Sequence, residues 1–134
     1  MRIRSRTVGA LAAAALAVGG LSAATAATAN AAPAAAQSCL GTAKSFSTTY
    51  VAPYDRWPGS GSATATSNCN DINVKPTLGD YVRTCFLPSS GGTSCNAWRW
   101  IDGGTWGLAA TDVKDGTKFY LQFQLGYEYG SVAY

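Results

Sequence analysis

Four cysteines, Cys39, Cys69, Cys85 and Cys95, constrain this chain more than any other feature. An even number in a short exported chain reads as two disulfides, the framework that small domains use when their core alone is modest. A zinc site made of four thiolates wants closely spaced Cys pairs, and the spacings here are 30, 16 and 10. Four cysteines allow three pairings. The expected one is Cys85–Cys95 with Cys39–Cys69. Cys85 ends a strand-like run from Tyr81 to Phe86, residues 87–94 are a Pro/Ser/Gly-rich loop, and Cys95 begins the next run. A bridge across that loop needs only neighbouring strands. Cys39 then ties the N-terminal segment to the Cys69 strand, and each link stabilises by roughly 3 kcal/mol through the unfolded chain.

Arg2, Arg4 and Arg6 begin the sequence, residues 8–27 are Ala- and Gly-dominated, and Ala29-Asn30-Ala31 places small residues at −3 and −1 of a cleavage point. Residues 1–31 therefore read as a cleaved secretion signal, 32–38 as a flexible Ala-rich N-terminus and 39–134 as a single domain. Ala and Gly give little membrane stability, which argues against an integral membrane anchor. The arginines are not adjacent, so the twin-arginine route is not indicated. Ala36-Gln37-Ser38-Cys39 is no lipobox. The expected destination is extracellular. The leader resembles in style those of high-GC actinomycetes, and the remainder resembles the small secreted β-domains of that group.

Composition removes several functions. The chain has no His and one Glu. Three of its ten basic residues are the leader arginines, and the other seven balance the seven acids, so residues 32–134 carry no net charge. Nucleic-acid binding would want a basic surplus. General acid–base catalysis wants groups that titrate near the working pH, and no motif sets a base beside a Ser. The expectation is a non-catalytic protein without metal or cofactor. Asn70-Asp71-Ile72-Asn73 and Asp112-Val113-Lys114-Asp115-Gly116 are oxygen-rich, but neither has calcium ligands at alternate positions, so they read as a strand edge and a hairpin turn.

Short alternating runs broken by Gly and Pro predict an all-β fold, a small antiparallel sandwich or barrel of about 6–7 strands. Strands are expected at 46–52, 62–74, 81–86, 95–101, 105–113 and 118–125, with another at 127–133. Residues 53–61 read as a loop. If Asp102-Gly103-Gly104 and Asp115-Gly116 close two consecutive hairpins, Trp100 faces Trp106, Trp98 faces Leu108, Trp106 faces Leu125 and Leu108 faces Phe123. One face then holds Trp98, Trp100, Trp106, Leu108, Ala110, Phe119, Leu121, Phe123 and Leu125, and this apolar face is expected to be the core. The other holds Arg99, Gly107, Ala109, Thr111, Lys118, Tyr120, Gln122 and Gln124.

Two surfaces are left for binding. The first is Tyr54-Asp55-Arg56-Trp57, with Pro53 and Pro58 at its ends; Tyr54, Arg56 and Trp57 are of the residue types richest in binding hot spots. The second is the polar sheet face of Arg99, Tyr120 and Gln122, with Arg83, Tyr81 and Gln124. An extracellular glycan or a protein is the expected partner of a monomer. The triplet Trp98-Arg99-Trp100 resembles the Trp-Arg-Tyr triplet of the tendamistat-type α-amylase inhibitors, which are likewise secreted, all-β and two-disulfide, although the cysteine spacing differs. The resemblance implies, as an alternative, an inhibitor of a secreted amylase or protease. A structural surface protein without a discrete site is the third reading. Zero net charge implies weak long-range steering and modest salt dependence.

Overall fold

Thr, Val, Tyr and Phe at alternate positions favour pleated backbone, and the Gly and Pro between them stop each run after a few residues. A computed structural model describes residues 38–134. The expected signal and residues 32–37 of the Ala-rich stretch lie outside the described residues. After a helical turn at 38–40, the chain forms eleven strands: β1 (Lys44–Ser47), β2 (Thr49–Val51), β3 (Tyr54–Trp57), β4 (Ala63–Thr64), β5 (Ile72–Pro76), β6 (Asp80–Leu87), β7 (Ser94–Cys95), β8 (Arg99–Ile101), β9 (Gly107–Ala110), β10 (Lys118–Phe123) and β11 (Tyr129–Ala133).

These make two antiparallel sheets, one ordered β1-β11-β5-β9 and the other β2-β3-β10-β6-β7, with β4 also on β10 and β8 also on β6. The result is an all-β, two-sheet arrangement and not a closed barrel. The strands outnumber expectation because long runs change sheet partway. The run 46–52 is the clearest case. It breaks at Thr48, with β1 in the four-stranded sheet and β2 in the seven-stranded one.

The core lies between the inner faces. Phe119, Leu121 and Phe123 of β10 are fully buried, as the alternation predicts, and meet Val82 of β6, Ile72 and Val74 of β5 and Val132 of β11. Phe46 stacks on Phe123 at 5.3 Å. Each such side chain contributes about 1.5–3 kcal/mol by leaving water. Both disulfides are those expected from the spacing, Cys39–Cys69 and Cys85–Cys95. Cys39 and Cys69 also form a small second cluster with Ala133, which Leu40 and Trp106 cover.

The two hairpins expected of residues 95–125 do not form. β8 pairs with β6 and β9 pairs with β5, so Asp102-Gly103-Gly104 carries the chain from one sheet to the other, and Asp115-Gly116 carries it back. Trp100 consequently faces Tyr81 and not Trp106. The expected apolar face breaks up. Trp100 is 49% exposed, Leu108 43% and Leu125 63%, while Trp98 and Trp106 are half-buried outside the main core. Ala109, expected on the polar side, is fully buried. Along β10 the division holds, with Lys118, Tyr120 and Gln122 turned away from the core.

Candidate functional site: the outer face of the seven-stranded sheet

Residues directly opposite in an antiparallel pair project to the same side. Gln122 of β10 lies opposite Arg56 of β3 on one flank and Arg83 of β6 on the other, so Arg56, Gln122 and Arg83 form one row across three strands. Tyr120, two residues along β10, shares that side, as does Tyr54 on β3 and Tyr81 on β6. Trp100 faces Tyr81 and joins them. This side is opposite to the one that buries Phe119, Leu121, Phe123 and Val82.

The rings and guanidinium groups on this face stack on one another. The Arg56 guanidinium lies 3.9 Å above the Tyr120 ring and donates to the Gly61 carbonyl. Arg83 is 4.4 Å from the Trp98 ring and 5.1 Å from Tyr54, and its Nε donates to Gln122 Oε1 at 2.8 Å. Tyr54 and Trp98 meet edge-on at 4.9 Å, and Tyr81 and Trp100 at 5.1 Å. The Trp100 indole N–H donates to Asp102 Oδ1 at 2.7 Å. Its ring occupies the space where Gly79 lacks a side chain, since a Cβ there would approach Trp100 Cζ2 to 2.5 Å. Cation–π contacts of this kind contribute about 0.5–2 kcal/mol and hold rings in place before any ligand arrives.

The two candidate surfaces of the sequence are therefore partly one. Residues 54–57 are not a loop but β3, paired to β2 and to β10. Pro53 and Pro58 stand just outside the strand, where no ladder N–H is demanded of them. Tyr54 and Arg56 fall on the outer face beside Tyr120 and Gln122. Trp57 does not: it lies opposite Leu121 and packs on Phe46 at 6.2 Å and Tyr134 at 5.9 Å. Arg99 also leaves the set. It lies opposite Val82, on the other side from Tyr120, and reaches towards the Leu108 carbonyl at 3.5 Å. Trp98 and Trp100, assigned to the core by the sequence, take its place. The signal for this lay in parity: Trp98 and Trp100 share one side whatever strand they pair with, and only the partner decides which side is wet.

Two carboxylates lie beneath the adjoining loops. Asp80 Oδ1 accepts the N–H groups of Gln124 and Leu125 at 3.1 and 3.0 Å. Burial pushes its carboxyl above the ordinary value of 3.8, the nearby Glu128 charge adds to that, and the backbone hydrogen bonds only partly offset it. A carboxyl raised on folding contributes stability that is fully present below its unfolded pKa and is lost as pH rises through its folded one. Asp80→Asn keeps an acceptor for Gln124 and Leu125 but removes the ionisation. The variant is expected to gain on the natural protein near neutral pH and to lose that advantage as pH falls through the raised pKa towards 3.8. Urea titrations at a series of pH values check this, and a stability difference that does not change with pH contradicts it.

No family model, no curated protein and no solved structure matches the chain. Among the described residues no helix is long and apolar enough to cross a membrane, and no group of three or more His, Cys, Asp or Glu is placed to hold a metal ion. Two disulfides with no free thiol among the described residues belong to an oxidising compartment. A depression of about 1050 Å³ lies between residues 87–89 and 114–118 and is lined by none of the stacked side chains above.

Proposed function

We propose that the protein is a secreted, monomeric, non-catalytic binding module that receives an extracellular glycan on the outer face of its seven-stranded sheet. The observation that carries this reading is the set of rings held on that face by backbone register and mutual stacking: Tyr54, Tyr81, Trp98, Trp100 and Tyr120. Trp100 and Tyr81 are 49% and 42% exposed and meet edge-on at 5.1 Å, so they present adjoining ring surface to solvent. Flat rings on a sheet suit the apolar face of a sugar ring, and Gln122 and the arginines supply donors for its hydroxyls. A chain laid across a sheet needs no enclosed cavity. The expected result on a glycan array is retention of a defined set of polysaccharides, lost at least about tenfold in Trp100→Ala and reduced in Tyr54→Ala. Retention unchanged in both variants moves the site elsewhere.

One observation favours a second reading. The Trp98-Arg99-Trp100 triplet, which resembles that of the amylase inhibitors, has Arg99 and Trp100 exposed on β8, a strand that among the described residues pairs only with β6. Inhibition of a secreted amylase or protease at stoichiometric protein, lost in Arg99→Ala, supports that reading over the first.

A further inference from the structure

Resting on the glycan reading, a second inference follows from where the charges lie. The seven basic and seven acidic side chains beyond the leader cancel in number but not in position. β3 carries Asp55 beside Arg56, and β6 carries Asp80 three residues before Arg83; in each strand the arginine is on the outer face and the aspartate is buried on the inner one. Glu128 is buried as well, with Oε1 engaged by backbone N–H groups. Asp71, Asp112 and Asp115 belong to another corner: Asp71 accepts the Asp112 N–H, and Asp112 and Asp115 line a depression with Asn70 and Lys114. Asp102 is the one carboxylate at the rim of the face, and it is bound to the Trp100 indole. Strand alternation thus sorts a neutral chain into a face whose strands present Arg56 and Arg83 and no acid, while Lys118, at the far end of β10, shares a depression with Asp115.

The two arginines are placed as a pair. They bracket Gln122 on the adjacent strands, which sets their Cα atoms about 10 Å apart. Two like charges at that distance repel, and aromatic faces hold them there: Tyr120 under Arg56, Trp98 and Tyr54 against Arg83. Neither is paired with a carboxylate among the described residues, and Arg56 Nε is buried without a hydrogen-bond partner. A group that relieves this arrangement is an anion settling over Gln122 between the guanidiniums.

We infer that the ligand is an anionic polysaccharide, its sugar rings on Tyr54, Trp98 and Trp100 and its acidic group between Arg56 and Arg83. A uronate carboxylate and a phosphate ester share the required chemistry, because both accept planar guanidinium donors. Binding then depends on salt, since the local field of the face matters and not the net charge of the chain.

Isothermal titration of the purified protein with matched polymers tests this. Polygalacturonate is compared with fully methyl-esterified galacturonan, and phosphorylated mannan with unphosphorylated mannan. The expected result is that one charged polymer binds at least about tenfold more tightly than its neutral twin, that added NaCl removes most of the difference, and that Arg83→Gln and Arg56→Gln each remove about tenfold towards the charged form only. Which pair shows the difference identifies carboxylate or phosphate. The esterified comparison uses the unaltered protein and so does not depend on the variants folding. Equal binding of charged and neutral polymers, with Trp100→Ala still abolishing it, overturns the anionic inference and leaves the glycan reading in place. No binding to any of the four polymers overturns the anionic inference, and a glycan array blank for the same protein overturns the glycan reading as well.

Discussion

Phe123→Ala is expected to lower the free energy of unfolding by about 3–5 kcal/mol, and Trp100→Ala by about 1 kcal/mol, although tryptophan is the larger side chain. Phe123 has no exposed surface, stacks on Phe46 at 5.3 Å and lies mid-core between two sheets, so its removal leaves a cavity that rigid strands close poorly. Trp100 keeps half its surface in water. Its contacts are one edge of Tyr81, the bare backbone at Gly79 and a hydrogen bond to Asp102. Truncation there opens no void, because solvent already reaches the ring. Urea denaturation of the two variants beside the natural protein measures both values. Comparable losses, or a greater loss for Trp100, would restore the hairpin in which Trp100 is opposite Trp106. The ranking also separates stability from binding, since the ring that matters less to the fold is the one proposed to meet the ligand.

The contrast between Phe123 and Trp100 shows what the sequence could carry. In β10 alternation alone was enough. This strand is flanked by β3 and β6 along most of its length, so one parity must be buried and the other not, and Phe119, Leu121 and Phe123 declare which. β8 and β9 alternate as cleanly, yet alternation does not name a partner. Consecutive strands joined by a short Gly-rich turn usually pair. Here the same turn serves a crossing between sheets, and once β8 pairs with β6, Trp100 is exposed beside Tyr81 and not buried against Trp106, while Arg99 stays exposed as well. The cysteine pairing was legible because the Pro/Ser/Gly-rich stretch 87–94 admits little but a loop, and Cys85 does face Cys95 across it. Residues 54–57 were misread for a local reason. Two prolines suggested irregular backbone, while the alternation of Tyr54 and Arg56 with Asp55 and Trp57 was the strand signal, and it also separates the two residues of the face from the two that turn inward. The candidate face as a whole could not be read from any one segment, because it is assembled from β3, β6, β8 and β10, whose order in space differs from their order in sequence.

Glu128, the only glutamate in the chain, is expected to behave as a structural residue of large effect. It is 2% exposed. Its Oε1 accepts three backbone N–H groups, from Thr77 at 3.0 Å, Leu78 at 3.1 Å and Tyr129 at 3.0 Å. Its own N–H donates to Thr48 Oγ1 at 2.8 Å, and its carbonyl accepts the Thr48 N–H at 2.8 Å. Thr48 is the corner where the chain leaves the four-stranded sheet for the seven-stranded one, and residues 77–78 form the turn between β5 and β6, which crosses between the same two sheets. One buried side chain thus joins two crossings and the start of β11. Glu128→Ala leaves the part-buried Leu78 and Tyr129 N–H groups without this acceptor, whereas the Thr77 N–H keeps the Tyr129 carbonyl at 2.8 Å. At about 1–3 kcal/mol for each group left unpaired the loss should be about 2–4 kcal/mol, with Leu78 the first to exchange its amide hydrogen. Glu128→Gln retains an acceptor oxygen in nearly the same place and gives up only the charge, so its loss should be about 1–2 kcal/mol, reflecting the greater strength of bonds to an ionised acceptor. Hydrogen exchange and urea denaturation of the pair separate the two terms. A Gln variant as damaged as the Ala variant would mean that the negative charge, and not the geometry of acceptance, holds the corner; an Ala variant as stable as the natural protein would mean that water replaces the carboxylate and that the crossings hold themselves.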